Sequence, residues 1–351
     1  MLTPIHRRQF LAAAGAAIGS SALAQDSKRI RTGILGVQHS HLPEKLKAMY
    51  NNPDYEVVAV CEPDEETRRE HAGDPLLNRL RWTGVEEMLG DKSIDLIVFE
   101  GAVKDAVPSG KRILDAGKHL HLEKPPTNKL EPFRELVDLA RERDRKLQLG
   151  YLYRFHDGTN AVLEAYRQKW LGEVFMVRCT MNSDRNAQQR EKEARYPGGS
   201  MFELGGHVID RVIALLGRPS AVRSWLRHDT SVQDTEKDNT LAVLEYPSAL
   251  AVVESSARDA ASNRSFEIMG TDGSMMVEPL EPAPTLRVQM REARGPYRKG
   301  RQELRLAPQP RFIRDFQELA RAIKTGTPLR YSYDHELLLQ ETLLRCSGEI
   351  A

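Results

Sequence analysis

Only three cysteines, Cys61, Cys179 and Cys346, occur in 351 residues. Odd in number and far apart, they exclude a disulfide framework and a cysteine-based zinc site, and they read as buried thiols. Aromatic residues are scarce at 6% and no basic block carries them in alternation, so a nucleic-acid groove is not expected. Neither sign of charge prevails: 51 lysines and arginines face 50 acidic residues, for a formal charge of +1. The weakly apolar run over residues 10–24 is shorter than the roughly 20 residues a membrane-spanning helix needs. With 40% hydrophobic and 29% charged residues, collagen-like, disordered and multi-spanning membrane chains are excluded as well. What remains is a globular chain whose length, at roughly 100 to 200 residues per domain, predicts two domains.

The start His6-Arg7-Arg8-Gln9-Phe10-Leu11, the mild apolar run and Ala22-Leu23-Ala24 have the build of a cleavable leader over residues 1–24. The adjacent Arg7 and Arg8 resemble the bacterial twin-arginine signal, which exports folded proteins; an ordinary secretory signal is the alternative. The expected destination is the periplasm, with no membrane attachment after cleavage. Loss of Arg7 and Arg8 turns the formal charge from +1 to −1. Folding before export would let a cofactor be loaded in the cytoplasm.

From Thr32 to Val37 the chain reads as a short apolar strand, followed by a polar turn and a helix over 43–50. Val57-Val58-Ala59-Val60-Cys61 is a second strand, passing through Glu62-Pro63-Asp64 into a charged helix over 65–71. The run from Ile94 to Phe99, a helix over 104–116 stopped by Gly117, and His119-Leu120-His121-Leu122 repeat the pattern. Continuous apolar strands alternating with helices predict a doubly wound parallel sheet in a Rossmann-type domain over residues 25–150. Beyond it, one helix over 159–169 precedes strand-like runs at 174–181, 222–226, 240–246, 249–255, 265–269 and 274–277, joined by turns such as Tyr246-Pro247-Ser248. These predict an α+β domain with a mainly antiparallel sheet over residues 151–351. Residues 281–310, rich in proline and arginine, give no clear element, and a helix follows over 312–324.

Taken in order, Cys61-Glu62-Pro63-Asp64, Gly117-Lys118-His119, Glu123-Lys124-Pro125, Tyr153-Arg154-Phe155, Leu171-Gly172-Glu173-Val174, the segment Gly198 to Asp210 and Gly270-Thr271-Asp272-Gly273-Ser274 resemble the Gfo/Idh/MocA family of NAD(P)-dependent sugar and polyol dehydrogenases over nearly all of residues 30–350. The resemblance implies an N-terminal Rossmann domain, a C-terminal domain whose open sheet makes a homo-oligomer, and a carbohydrate or polyol substrate held between them over the nicotinamide. It makes Lys124, Glu203 and His207 the catalytic set, Lys124 acting on the substrate oxygen and Glu203 with His207 relaying the proton. Hydride loss from a carbinol carbon requires such a base for the hydroxyl proton. The spacing of Glu203 and His207 predicts one face of one helix, with Asp210 orienting His207 or pairing locally. Tyr153, Arg154, Arg185 and His207 are the expected substrate contacts, together with Asn182 and Tyr196.

The family pattern is broken in three places. The pyrophosphate fingerprint Gly-x-Gly-x-x-Gly stands here as Gly36-Val37-Gln38-His39-Ser40-His41, so Gln38 and His41 are expected to crowd the diphosphate and the helix. Glu100 occupies a position beside the nicotinamide where it would bring negative charge, and Glu203 replaces the commoner aspartate. Gly36, Val37, Gln38, His39, Glu62, Glu100, Glu123 and Lys124 are the expected cofactor residues, and the Glu62 carboxylate, repelling a 2′-phosphate, favours a tightly bound NAD over NADP. An alternative assigns His39, His41, Glu62 and Glu100, with Glu123 beside them at the same strand ends, to a divalent metal, since histidine and carboxylate suit zinc- or manganese-type ions. The matching alternative function is a redox-inactive sugar lyase, hydratase or hydrolase in the same cleft.

Overall fold

A computed structural model describes residues 28–351; the expected leader over 1–24 lies outside the described residues. Six parallel strands, β1 (Ile30–Leu35), β2 (Tyr55–Cys61), β3 (Arg81–Trp82), β4 (Leu96–Phe99), β5 (His119–Leu122) and β6 (Leu147–Leu149), form one sheet in the order β3-β2-β1-β4-β5-β6. The order reverses between β1 and β4, which opens a crevice at their carboxyl ends. Alternate side chains point to opposite faces of a strand. Ile97, Phe99, Leu120 and Leu122 therefore pack into one apolar layer with Ile113 and Leu136. Ile34, Val60, Leu96 and Val98 pack into another with Leu42, Leu46 and Met49. Burial on both faces explains why these strands read as unbroken apolar runs. The run Trp82-Thr83-Gly84, which reads as a turn in sequence, begins with the short edge strand β3.

The second sheet has eight strands. They are β7 (Val174–Met181), β8 (Ala221–Arg227), β9 (Asn239–Glu245), β10 (Leu250–Ser256), β11 (Arg264–Gly270), β12 (Gly273–Val277), β13 (Thr285–Met290) and β14 (Gly300–Arg305), in the order β14-β13-β12-β11-β7-β10-β9-β8. All neighbours are antiparallel except β7 and β10. The segment 281–310 thus holds two strands: its prolines stand outside both of them, and its arginines face outward, Arg287 lying opposite Glu303. One face of this sheet buries Val177, Cys179, Ala242, Leu244, Ala251 and Val253 in the core with Val208, Val212 and Leu343. The other carries Trp225 opposite Leu241, and Val243 opposite Val252, with Trp225 52% and Leu250 42% exposed.

The helix Ile313–Thr325 returns to the first sheet, where Phe316 and Leu319 pack against Leu46 and Met49 and the Tyr55 hydroxyl donates to the Phe316 carbonyl at 2.7 Å. The cysteines are free and buried. Among the described residues no helix is long and apolar enough to cross a membrane.

Candidate active site

β1 delivers Gly36 to the crevice at φ +87°, and a Cβ there would lie 2.5 Å from the Gly101 amide nitrogen. Only glycine satisfies both the backbone angle and this approach. The loop after it is stitched to its neighbours. The Gly36 amide donates to the Cys61 carbonyl at 2.8 Å, and the Gln38 and His39 amides share the Glu100 carbonyl at 3.1 Å. Glu62, at the end of β2, accepts from the Val37 amide at 2.9 Å and from the Asp64 amide at 3.0 Å. A cleft of about 500 Å³ opens beside these residues, lined among others by Gly36, Gln38, Glu62, Gly101, Arg112 and Arg195. That volume falls in the range of small-molecule and cofactor sites.

Glu100 is not in this cleft. Its side chain is fully buried beneath the loop and bonds the Lys45 ammonium at 2.5 Å, so the carboxyl expected beside the nicotinamide is turned into the interior. Lys45, itself fully buried, also ion-pairs with Glu123. Burial and the Glu123 charge push Glu100 up to about 8, against the pull of Lys45. Against its own burial, His39, Lys45 and His41 hold Glu123 well below the usual carboxylate range. One ammonium between two carboxyls thus leaves Glu123 as the charged partner. Sequence reasoning missed Lys45. The available signal was its place on the apolar face of the helix Leu42–Tyr50, next to Leu42, Leu46 and Met49.

His41 does not crowd the helix it precedes. Its Nδ1 lies 3.0 Å from Glu123 Oε1, its own amide donates to His39 Nδ1 at 3.2 Å, and the two rings meet edge on with centroids 4.5 Å apart. Of the metal set expected from sequence, Glu62 is bound to backbone amides and Glu100 to Lys45, while His39, His41 and Glu123 come together. There the Lys45 ammonium already supplies the positive charge that a cation would bring. Burial lowers the basicity of both histidines, more than Glu123 restores it.

Past β5 the Lys124 amide donates to Glu123 Oε2 at 2.9 Å, and its Nζ meets Glu203 Oε1 at 2.9 Å and the Glu203 carbonyl at 3.0 Å. The lysine and glutamate of the expected set therefore touch directly. His207 makes no hydrogen bond to that pair: Glu203 lies in a π-turn, Met201–Gly205, and His207 in the α-helix Gly206–Leu216 that follows. The wider turn breaks the four-residue alignment. Nδ1 of His207 accepts from the Leu152 amide at 3.4 Å, and its ring faces His41 at a centroid distance of 6.4 Å. Burial, then the Lys124 charge, holds His207 well below the ordinary imidazole range.

The residues expected to contact substrate have partners within the protein. Arg154 is buried and spent on structure, bonding Asp210 at 2.9 Å and Glu336 at 2.5 Å between the rings of Tyr151 and Tyr331. Asp210 pairs with Arg154, Arg211 and His335 and leaves His207 alone. The Tyr153 ring backs His207 at 5.9 Å with its hydroxyl buried against Met181. Arg185 pairs with Glu193 at 2.7 Å, Asn182 with Glu254 and Asp259, and Tyr196 packs on Phe202.

A six-stranded parallel sheet with a cleft at its switch point and a carboxylate closing β2 is the architecture of a dinucleotide-binding domain. Residues 30–151 match the oxidoreductase family with an NAD-binding Rossmann fold, and residues 159–276 the GFO/IDH/MocA C-terminal domain. An oxidoreductase of Schizosaccharomyces pombe is 30% identical over 267 residues, 70% of each chain. The dTDP-3,4-didehydro-2,6-dideoxy-alpha-D-glucose 3-reductase of Streptomyces violaceoruber is 25% identical over 269 residues, 75% of this chain and 78% of that one. The crystal structure of GenD2 from gentamicin A biosynthesis, in complex with NAD, superposes with a TM-score of 0.76 at 20% identity, covering 95% of this chain and 97% of that one. The chain belongs to the GFO/IDH/MocA family and is an NAD(P)-dependent oxidoreductase.

Proposed function

We propose that this protein moves a hydride between NAD and a sugar, sugar derivative or cyclic polyol. The observation that carries the reading is the direct Lys124–Glu203 pair beside His207 next to a cleft from which the Glu100 side chain is withdrawn. The residues fit a dinucleotide. Gln38 lines the cleft, Glu62 stands where a ribose is expected, and Arg112 and Arg195, paired outside with Glu86 and Glu191, reach the cleft as well. Most amides of the Gly36–His41 loop are engaged internally, so these arginines take over part of the phosphate binding that a glycine-rich loop provides elsewhere.

When bound, the nicotinamide supplies a hydride acceptor or donor. The chain's own residues do the rest: Lys124 offers a hydrogen bond to the substrate oxygen, Glu203 fixes the direction of that ammonium, and the His207 ring borders the substrate. The sugar-nucleotide reductase among its relatives supports a carbohydrate-like substrate. Residues 25–150 serve the cofactor and 151–351 the substrate and self-association, through the open face bearing Trp225 and Leu250. The leader over 1–24 directs the folded, cofactor-loaded protein to the periplasm, where free NAD is scarce, which calls for slow cofactor release.

Calorimetric titration of the purified protein with NAD and NADP tests this. NAD binds at least about tenfold tighter, and Glu62→Ala narrows the gap, because a carboxylate opposes a 2′-phosphate. Absence of heat with either dinucleotide, in protein first freed of bound cofactor, defeats the proposal.

A further inference from the structure

His41 and His207, whose rings lie 6.4 Å apart, are held in opposite tautomers. The Leu152 amide donates to Nδ1 of His207, so in the neutral ring the proton sits on Nε2, which is a donor. His41 is the reverse. A carboxylate can only accept, so the 3.0 Å contact from Nδ1 to Glu123 Oε1 places the proton on Nδ1 and leaves a bare lone pair on Nε2. That nitrogen makes no hydrogen bond among the described residues, and it is not one of the sealed, unsatisfied polar atoms of the core. Lys124 and His207 thus present donors, whereas His41 presents a neutral acceptor. The carboxylate of Glu203 is paired with Lys124, and that of Glu123 accepts from His41, Lys45 and the Lys124 amide.

We infer that His41, oriented by Glu123, is the group that takes the substrate's hydroxyl proton, an inference resting on the oxidoreductase reading above. In the oxidation the O–H bond breaks with its proton bound at Nε2 of His41. A bound oxidised nicotinamide would supply the acceptor for the C–H electron pair, as hydride, so that the carbinol would become a carbonyl. In the other direction the protonated His41 returns the proton to the forming alkoxide. Glu123 belongs both to this pair and to the turn that carries Lys124, so it sets the distance between acceptor and donor. Lys45, bridging Glu123 and Glu100 from beneath, keeps Glu123 ionised and hence an acceptor. The histidine stands where the phosphate fingerprint has its last glycine, which gives that substitution an employment.

Nitrogen-15 NMR of histidine-labelled protein without added substrate tests the tautomer. A protonated Nδ1 and bare Nε2 for the resonance lost in His41→Asn is expected; the opposite pattern overturns the inference. In parallel, single-turnover formation of NADH is followed with D-glucose, methyl glucoside and myo-inositol as probes. With whichever probe the parent protein oxidises, His41→Asn and His41→Gln slow the step by roughly 10²- to 10⁴-fold while NAD affinity stays within about twofold. An unchanged rate in folded variants overturns the role. So does a stoichiometric metal ion in the parent protein that is lost from both variants, which would make the cluster a metal centre. Failure of the parent to bind NAD strikes the oxidoreductase reading, whereas a wrong tautomer in a protein that binds NAD strikes His41 alone.

Discussion

A single lysine, Lys45, shows how a charge becomes structural. Its ammonium is fully buried between Glu100 and Glu123, where removing one partner of an ion network costs far more than the network contributes when intact. Lys45→Met is therefore expected to destabilise the fold by about 3 to 5 kcal/mol, read from the urea midpoint, because Glu123 is left charged without its counter-ion. Glu100→Gln costs less at neutral pH. A carboxyl pushed up to about 8 is already mostly protonated there, so the amide replaces a group that carries little charge. The contrast between the two variants tests which of the glutamates carries the negative charge.

At the scale of elements, the loop between β1 and the helix Leu42–Tyr50 sets the site. Gly36→Ala forces a side chain onto the Gly101 backbone and a non-glycine residue into positive φ. A cost of about 1 to 3 kcal/mol or more follows, with a lower melting temperature and weaker NAD binding as the loop pulls away from β4. The elements themselves were largely legible. Buried parallel strands announce themselves as apolar runs, and β7, expected over 174–181, spans Val174–Met181. β13 and β14 were not legible, because their outward faces carry Arg287, Arg301 and Arg305 and their flanks are proline-rich, so the alternation looks like a polar loop. The π-turn at Met201–Gly205 was hidden for a different reason. Gly206 packs against the Tyr151 ring, which a Cβ there would meet, and that contact across the fold has no local pattern.

For the whole molecule, the uncovered face of the eight-stranded sheet matters most. Trp225, Leu241, Val243, Leu250 and Val252 form an apolar surface of the kind that mediates self-association. Trp225→Glu combined with Leu250→Glu is expected to yield a monomer by light scattering while each chain still binds NAD; an unchanged mass in the double variant removes this face from the interface.

The amino-acid sequence by itself determined the two-sheet architecture, the crevice at the carboxyl ends of the parallel strands, and Glu62 at its edge. These follow from hydrophobic period and from a residue that stands at a strand end, whereas Lys124, Glu203 and His207 were singled out by the family resemblance. Only the tertiary structure decided where charged side chains turn. It sent Glu100 inward to Lys45, Arg154 to Asp210 and Glu336, and His41 to Glu123, across separations in the chain of 55, 56, 182 and 82 residues. The physical reason is that a buried charge must find its partner in space. That choice depends on which strands and helices are brought side by side, and not on neighbours along the chain.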